Sequence, residues 1–353
     1  MAAEIRTEIL PETAFADWNR LVAASPDGSI YSTPEYLDAL CAAAGGRFRV
    51  LAAYRGDELA GGVALYERRS AFGTYVSPRL LLYYNGLVLR RYDTKYPSER
   101  TAREIKALAA LEERLSASGY GRVEIRSRAS VTDVRPFLAR GWRAQPSYSY
   151  VVRLTDLKAQ WSLVEQNLRR LIERCAAQGL TAVEDDDFDA FFRLHAATMD
   201  RHEVAAYLPH ATFGTYFERL RKAGSCRLYH ARLPDGRAIA SQLVLLSAHP
   251  VSHSVSAAND PEFNRMGAAA FLRWKVFEAL AALGYTGNDL TDASLNPVTH
   301  FKSQLGGELQ LSLVLRSPGT RRYRWGTGAV ARYWRTRETV AAGLRRMLGR
   351  ARS

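Results

Sequence analysis

The chain has few residues of the kinds that cross-link a protein or bind a metal. Its 353 residues include three cysteines, Cys41, Cys175 and Cys226, without metal-ligand spacing. Three cysteines are too few for a disulfide framework, so the sequence predicts free thiols, no metal site and a reducing compartment. The acidic run at 184–189 precedes a predicted helix, where carboxylates favour the helix dipole and need no metal to explain them.

Long hydrophobic runs are also absent. The longest apolar stretch, residues 80–89, is interrupted by Asn85 and Gly86 and is far short of the ~20 residues that cross a bilayer. The first residues carry acids where a signal peptide needs an apolar segment. Apolar residues make up 47% and charged residues 24% of the chain, which is typical of a globular protein of about two domains. We therefore expect a cytoplasmic protein.

Positive charge is concentrated at the C-terminus. Residues 321–353 contain ten arginines and one glutamate, a net charge of +9, so the other 320 residues carry only +4 of the total of +13. Aromatic and aliphatic residues are interspersed among the arginines, a pattern that suits an anionic membrane surface. RNA would suit it as well, and a solvated terminal helix without a partner is the third interpretation. We expect peripheral contact with the inner membrane face.

The chain repeats itself once. Residues 48–66 and 226–246 both show two alternating apolar runs around a Gly/Asp turn, which predicts a β-hairpin in each. Each hairpin is followed by a helix that ends at a Gly-Tyr pair, and Gly119 and Gly284 of those pairs differ by 165 positions. A helix predicted at 161–180 begins the second copy.

The repeat predicts an α/β (α+β) fold of tandem domains, each a mixed, mostly antiparallel sheet flanked by helices. The predicted bounds are 1–155, 156–316 and, for the basic tail, 317–353. Phe137 of the first copy matches Phe301 at an offset of 164, so Leu138 matches Lys302. A charge in one copy and an apolar residue in the other indicate a working site in the second domain and a degenerate first domain.

Several residues of the second copy occur in an order that is similar to a known family. They are Asn167-x-Arg169-Arg170, Gly179, Thr198-x-x-Arg201, Gly284-Tyr285, Asp289-Leu290 and Phe301-Lys302-x-x-x-Gly306. This order resembles the Fem-like (FemAB) branch of the GNAT acyltransferase superfamily. The resemblance implies a tandem GNAT fold that transfers an acyl or aminoacyl group to an amine or a hydroxyl.

The resemblance also implies roles for single residues. Lys302, beside Phe301, matches the family lysine that stabilises negative charge on a phosphate or on the developing oxyanion. Asp289 ends a strand at the edge where α/β sheets tend to place ligands, and we predict that these three residues are catalytic.

The acceptor side is predicted from the preceding helix. Arg201 matches a family arginine associated with acceptor phosphate, and Thr198 is its neighbour. His202 follows where that helix should end. These three residues are the predicted substrate-binding set.

A phosphate cradle is predicted between a strand and a helix. In the GNAT superfamily this turn reads Gln/Arg-x-x-Gly-x-Gly/Ala, and here Asn264, Met266, Gly267, Ala268 and Ala269 occupy the corresponding segment. Small residues at a helix N-terminus let backbone N–H groups approach a pyrophosphate. The first position departs from the pattern, because it is asparagine.

Three functions follow as hypotheses. The first is transfer of an acyl group, most simply acetyl, from acyl-CoA to a small-molecule or lipid-linked saccharide precursor of the cell envelope or of a polysaccharide. The second is aminoacyl-tRNA-dependent peptidyl transfer of the peptidoglycan-bridge type, the one case in which nucleic acid would be a partner. The third is a non-catalytic binding protein on a GNAT scaffold.

Overall fold

The computed structural model describes residues 4–78, 81–201 and 206–327. The strands are β1 (Ile5–Ile9), β2 (Arg47–Arg55), β3 (Glu58–Ser70), β4 (Gly73–Val76), β5 (Leu87–Leu89), β6 (Arg122–Arg126), β7 (Arg143–Arg153), β8 (Thr181–Glu184), β9 (Cys226–Arg232), β10 (Ala238–Leu245), β11 (Val251–Asn259), β12 (Gly287–Asp289) and β13 (Glu308–Arg316). The helices are α1 (Phe15–Ala24), α2 (Pro34–Ala44), α3 (Pro97–Ala117), α4 (Arg135–Ala139), α5 (Leu157–Leu163), α6 (Gln166–Ala177), α7 (Phe188–Arg201), α8 (His210–Lys222), α9 (Ala268–Ala282) and α10 (Pro297–Gln304).

The strands join into one continuous sheet in the order β1-β2-β3-β4-β6-β13-β7-β12-β11-β10-β9-β8, with β5 beside β3. Both predicted hairpins form, as antiparallel pairs of β2 with β3 and of β9 with β10. β4 and β6 run parallel in the first half, and β11 and β12 run parallel in the second.

The two halves exchange one strand at the centre of this sheet. β7 of the first half pairs with β12 of the second, while β13 of the second half pairs with β6 of the first. β7 and β13 also pair with each other, over all of β13 and over residues 143–151 of β7. The predicted duplication and the tandem α/β fold are confirmed, and the exchange makes each half complete only in the presence of the other.

The structure corrects the alignment of the two copies at the proposed site. Gly119 and Gly284 both have a positive φ after their helices, as do Gly141 and Gly306 after α4 and α10, and both pairs differ by 165 positions. This offset matches Lys302 with Phe137, one position away from the predicted Leu138. Phe137 is fully buried and Leu138 is 45% exposed, so a buried phenylalanine and a buried lysine fill equivalent positions.

The helix predicted at 161–180 is two helices, α5 and α6. The chain leaves the helical path at Val164, which is extended with ψ 133°. The backbone N–H of Glu165 then donates to Gln304 O at 3.0 Å, and Gln304 Nε2 donates to the Glu165 carboxylate at 2.8 Å. The break therefore attaches this segment to the end of α10.

Three cores position these elements. The largest lies between the halves, where α1 and α2 face α7 and α8, and it includes Trp18, Tyr36, Phe213 and Tyr216. The second fills the space beneath α6 and α9, and the third lies beneath α3. No helix of the described residues is long and apolar enough to cross a membrane. The predicted membrane-binding tail lies outside the described residues from 328 onward.

Candidate functional site

The loop that follows β12 has an unusual backbone. Thr291 and Asp292 have φ values of 52° and 32°, a region that costs a residue with a side chain roughly 1–2 kcal/mol. Two side chains hold the loop in this form. Asp289 Oδ1 accepts from the N–H of Thr291 at 2.7 Å, and Lys302 Nζ donates to Thr291 O at 2.5 Å and to Asp292 O at 2.7 Å.

Lys302 is a buried ammonium, and one of its three N–H groups has no hydrogen-bond partner among the described residues. The residue is only 8% exposed, and two of its three N–H groups are committed to the carbonyls of the loop. Burial and, to a smaller extent, the Arg273 guanidinium lower the pKa of Lys302 to about 8, against the opposing effect of Asp292 and Asp289. Below that pH the side chain is a cation, and the N–H group that is unpaired within the described part of the chain can meet an anionic atom.

Asp289 is an interior carboxylate at the end of β12, and it is 1% exposed. Its Oδ2 accepts from the Tyr84 hydroxyl at 2.9 Å, and that hydroxyl also lies 3.1 Å from Ser149 Oγ. Burial raises the pKa of Asp289, while the charge of Arg128 and the hydrogen bonds that Asp289 accepts from Thr291 and Tyr84 lower it. The carboxylate is thus linked to Lys302 through the loop that both residues hold.

The first half supplies one wall of this site. Tyr84 and Tyr31, both from the first half, pack against His253 with ring centroids 5.9 and 4.9 Å apart. His253 lies opposite Asp289 in the parallel pair of β11 and β12, with its Nδ1 3.8 Å from Oδ2. Neither ring nitrogen of His253 has a hydrogen-bond partner among the described residues, and the Tyr31 hydroxyl has none either. Burial holds the pKa of His253 well below its usual value, so the ring is neutral.

The predicted acceptor residues lie on α7. Thr198 is buried, and its Oγ1 has no partner in the described part of the chain. Arg201 is exposed at the last position of the helix, and His202 lies outside the described residues. His195, on the same helix, is fully buried and its pKa is lowered to about 4. Its Nε2 accepts from the N–H of Tyr207, so it is a satisfied core histidine.

The predicted cradle lies at the start of α9. Gly267 is the N-cap with φ 94°, and a side chain there would come within 2.8 Å of Leu171 on α6. Ala268 and Ala269 follow in the first turn of the helix, whose leading N–H groups lack intrahelical acceptors. Asn264 is exposed in the preceding 3-10 turn, and the sulfhydryl of Cys175 bonds to Met266 O at 3.1 Å. The positive φ of Gly267 and its close packing against α6 thus require glycine at this position. Phosphate binding here remains a prediction.

The short helix α10 is fixed at both ends. Asn296 caps it by accepting from the N–H of Thr299 at 2.9 Å. Gln160 Nε2, on α5, donates to Gly306 O at 2.9 Å just after the helix. Phe301 is half-buried against the second core. These contacts aim the Lys302 side chain at the loop after β12.

The acidic run is a structural element. Asp185 and Asp187 both accept from the Arg232 guanidinium at 2.8–3.1 Å, and Glu184 and Asp186 form ion pairs with Arg227 and Arg221. No group of three metal-ligating side chains occurs within residues 4–78, 81–201 and 206–327.

Three site residues escaped the sequence analysis. Tyr84 is brought to Asp289 by the packing of the two halves, and His253 by the parallel pairing of β11 with β12; neither contact has a signal in the sequence. Arg273 had one. Its neighbours in α9 are mostly apolar, apart from Lys275 and Glu278, and it is only 7% exposed, whereas an arginine is seldom fully buried without a polar partner.

Comparisons with known proteins bear on the fold that carries these residues. Residues 162–303 match the family described as Acetyltransferase (GNAT) domain. A comparison with curated protein sequences found no match. Among solved structures, the crystal structure of FemX is similar with a TM-score of 0.69 and 12% identity, over 87% of this chain and 96% of that one.

Two further structures share the fold. One is the C-terminal domain of a putative lysylphosphatidylglycerol synthetase from Agrobacterium fabrum, with a TM-score of 0.56 and 13% identity over 91% of this chain and 97% of that one. The other is a tandem GNAT protein from the clavulanic acid biosynthesis pathway, with a TM-score of 0.53 and 13% identity over 89% and 98%. At such identities the likeness establishes the fold. The predicted resemblance is confirmed at the level of the fold, and residues 162–303 match the GNAT domain family.

Proposed function

Starting from a GNAT domain within a Fem-like tandem fold, we propose that the protein transfers an acyl group, acetyl in the simplest case, from acyl-CoA to an amine or hydroxyl of a cell-envelope or polysaccharide precursor. The observation that supports this most is the buried ammonium of Lys302, which is bonded to the loop after β12 and has one N–H group without a partner among the residues that the structure describes.

Lys302 would stabilise the tetrahedral oxyanion. Acyl transfer places a full negative charge on the former carbonyl oxygen, and a fixed donor in a water-poor site stabilises that charge far more than water does. The two carbonyl contacts orient the ammonium before substrate arrives. Removal of one such donor typically costs a factor of about 10²–10³ in rate.

Asp289 would receive the acceptor's proton. Burial raises the pKa of its carboxyl, which brings a carboxylate closer to the strength needed for a general base near neutral pH. Its hydrogen bonds to the Tyr84 hydroxyl and to the N–H of Thr291 fix both oxygens. Because Asp289 is almost fully buried, the proton reaches it through the Tyr84 hydroxyl or through bound water.

The donor's phosphates fit the start of α9. The leading N–H groups of a helix favour an anion, and the residues there are small. An acceptor that is a nucleotide-linked or lipid-linked saccharide would also carry a phosphate. We propose that this phosphate binds to Arg201, Thr198 and His202.

A thermal-shift measurement tests the donor. Acetyl-CoA should raise the melting temperature, because a ligand that binds only the folded state stabilises it. Desulfo-CoA should do the same, since it retains the phosphates. If neither compound changes the melting temperature, the acyl-CoA proposal is wrong.

Aminoacyl transfer is the second candidate, because two of the similar structures carry the names FemX and lysylphosphatidylglycerol synthetase. In that case an aminoacyl ester of tRNA would replace the thioester at the same site. A gel shift with aminoacyl-tRNA, and none with acetyl-CoA in the thermal assay, would support it. Binding of an acceptor without turnover of either donor would support the non-catalytic alternative.

Peripheral membrane contact through residues 321–353 stays part of the proposal. It rests on the sequence alone, through ten arginines interspersed with aromatic and aliphatic residues. Such contact would place the enzyme at the inner membrane face beside a lipid-linked acceptor.

A further inference from the structure

Three polar atoms meet at one buried contact between the halves without a protein partner. His253 is fully buried, and neither of its ring nitrogens makes a hydrogen bond within residues 4–78, 81–201 and 206–327. The hydroxyl of Tyr31 is equally buried and is unpaired over the same ranges. The two rings pack edge to face with their centroids 4.9 Å apart. Buried polar atoms of native proteins are hydrogen-bonded in the great majority of cases, so these three atoms need a partner.

Two neighbouring tyrosines do not supply it. The Tyr84 hydroxyl donates to Asp289 at 2.9 Å. The Tyr36 hydroxyl donates to the backbone carbonyl of Leu81, while its ring lies 5.0 Å from that of Tyr31. Each hydroxyl has a single proton, and both protons are therefore committed elsewhere.

The titratable and charged groups that face His253 come from both halves. They are Asp289, Tyr31, Tyr84, Arg128 and His249. The Nη1 of Arg128 donates to a backbone carbonyl at 2.8 Å and lies 3.3–3.4 Å from the ring nitrogens of His249. Burial, Arg128 and His249 all lower the pKa of His253, so its neutral ring offers one donor and one acceptor.

The Asp289 carboxylate is the nearest charged group to this ring. Its Oδ2 lies 3.8 Å from Nδ1 of His253, which is too far for a direct hydrogen bond. A water to one side of the two atoms lies at ordinary hydrogen-bond distance from both. A buried water typically has about three polar partners, and Asp289, His253 and Tyr31 supply that number. Because each of these residues is at most 1% exposed, their partner must be as small as water.

We propose that internal water binds to His253 and to the Tyr31 hydroxyl and donates a hydrogen bond to the Asp289 carboxylate, so that both residues position the general base. The water site depends only on the buried groups, whereas the role of Asp289 as the base rests on the proposed function. A hydrogen bond from water favours the ionised carboxylate, which the charges of Arg128 and Lys302 also favour. Loss of the water should therefore raise the pKa of Asp289.

A crystal structure of the ligand-free protein that resolves ordered water tests the site directly. We expect water at about 2.7–3.2 Å from a ring nitrogen of His253, and its absence in the Tyr31→Phe and His253→Phe variants. Well-defined density for both side chains in wild type, without water at either ring nitrogen, would overturn the proposal.

Thermal unfolding tests the same site in solution. Tyr31→Phe should lower the melting temperature by about 2–4 °C, because a hydroxyl that is bonded to water is lost. A melting temperature equal to that of wild type, or above it, would mean that the hydroxyl has no partner. In the His253→Phe background the further loss should be small, since the two residues share the water. Tyr120→Phe, which loses a hydroxyl bonded to Glu67 in the first half, is the matched control and should cost the same in both backgrounds.

The pH dependence of acyl transfer tests the positioning role. The acidic limb of the pH–rate profile should shift by about one pH unit to higher pH in Tyr31→Phe and in His253→Phe, and Tyr120→Phe should keep the wild-type limb. A purely structural effect would lower the rate at every pH and leave the limb in place, and that result would refute the positioning role.

The structural and kinetic results separate the two proposals. Water at His253 in a protein that transfers no acyl group would refute the proposed function, and with it the positioning role, and would leave the water site in place. Acyl transfer by a wild-type protein without water at His253 would refute the water site alone.

Discussion

The ionisation of Lys302 is the most direct physical consequence of its position. Its ordinary pKa is 10.5, and burial followed by the Arg273 charge lowers it to about 8. The shift corresponds to a cost of about 3 kcal/mol for the charged form in the folded protein. The carbonyls of Thr291 and Asp292 compensate part of that cost through hydrogen bonds.

Lysine-selective NMR measures this shift without a substrate. The chain has only six lysines, so the Cε resonance of Lys302 is identified by its absence from the Lys302→Arg variant. It should titrate with a midpoint near pH 8, and the midpoint should move upward in Arg273→Met because a like charge is removed. A midpoint near 10.5 in wild type would refute the burial of Lys302. A midpoint that is the same in Arg273→Met as in wild type would refute the proximity of the two cations.

The same shift predicts a stability difference with a definite sign. Between about pH 8 and pH 10.5 the unfolded chain keeps the Lys302 proton that the folded chain has lost, so the stability of wild type relative to Lys302→Met rises with pH. The rise should total about 3 kcal/mol, and below pH 8 the full burial cost is present. Urea unfolding of both proteins from pH 7 to pH 10 checks it, and parallel curves would contradict the account.

Three further predictions concern two residues at the site and the basic tail. Gly306→Ala should lower the free energy of unfolding by about 2–4 kcal/mol, because the new methyl group would lie 2.6 Å from a side-chain nitrogen of α5 at a positive φ. The counterpart Gly141→Ala has more room, so its free energy of unfolding should fall by about 1 kcal/mol in the same urea titration. Equal losses in the two variants would contradict the packing at Gly306. Tyr84→Phe removes the hydroxyl that donates to Asp289, so it should lower the free energy of unfolding by about 1–3 kcal/mol in a urea titration. It should also shift the acidic limb of the pH–rate profile to higher pH. An unshifted limb would contradict the role of Asp289 as the general base. Deletion of 328–353, with seven of the tail's ten arginines, should move the protein from membrane pellet to supernatant, and an unchanged partition would contradict membrane anchoring.

The duplication could be predicted because it leaves a direct signal in the sequence. Hairpins, helix-ending glycines and the spacing of 165 residues recur, and local turn chemistry fixes them without tertiary information. The strand exchange at β7 and β13 could not be predicted, because either partner satisfies the same hydrogen bonds and the same alternation of side chains.

The candidate site could likewise be predicted only in part. Lys302 and Asp289 stand out by charge, type and place in the repeat. Tyr84 reaches Asp289 through the packing of the two halves, and a contact across some 200 residues of sequence leaves no periodic pattern. His253 and the buried state of Arg273 depend on how β11, β12 and α9 pack within the second half. The one-residue error at Lys302 arose because a matching phenylalanine, Phe137, was aligned by identity, whereas burial aligns it with the lysine.

Acyl transfer by Lys302→Met tests the central claim most directly. Wild type, Lys302→Met and the control Lys275→Met would be given acetyl-CoA and a panel of amino and hydroxyl saccharide acceptors, with released thiol and acylated product measured together. We expect turnover by wild type and the control, and a loss of about 10²-fold or more in Lys302→Met with its folded spectrum retained. Equal turnover by Lys302→Met and wild type would contradict the assignment of the site.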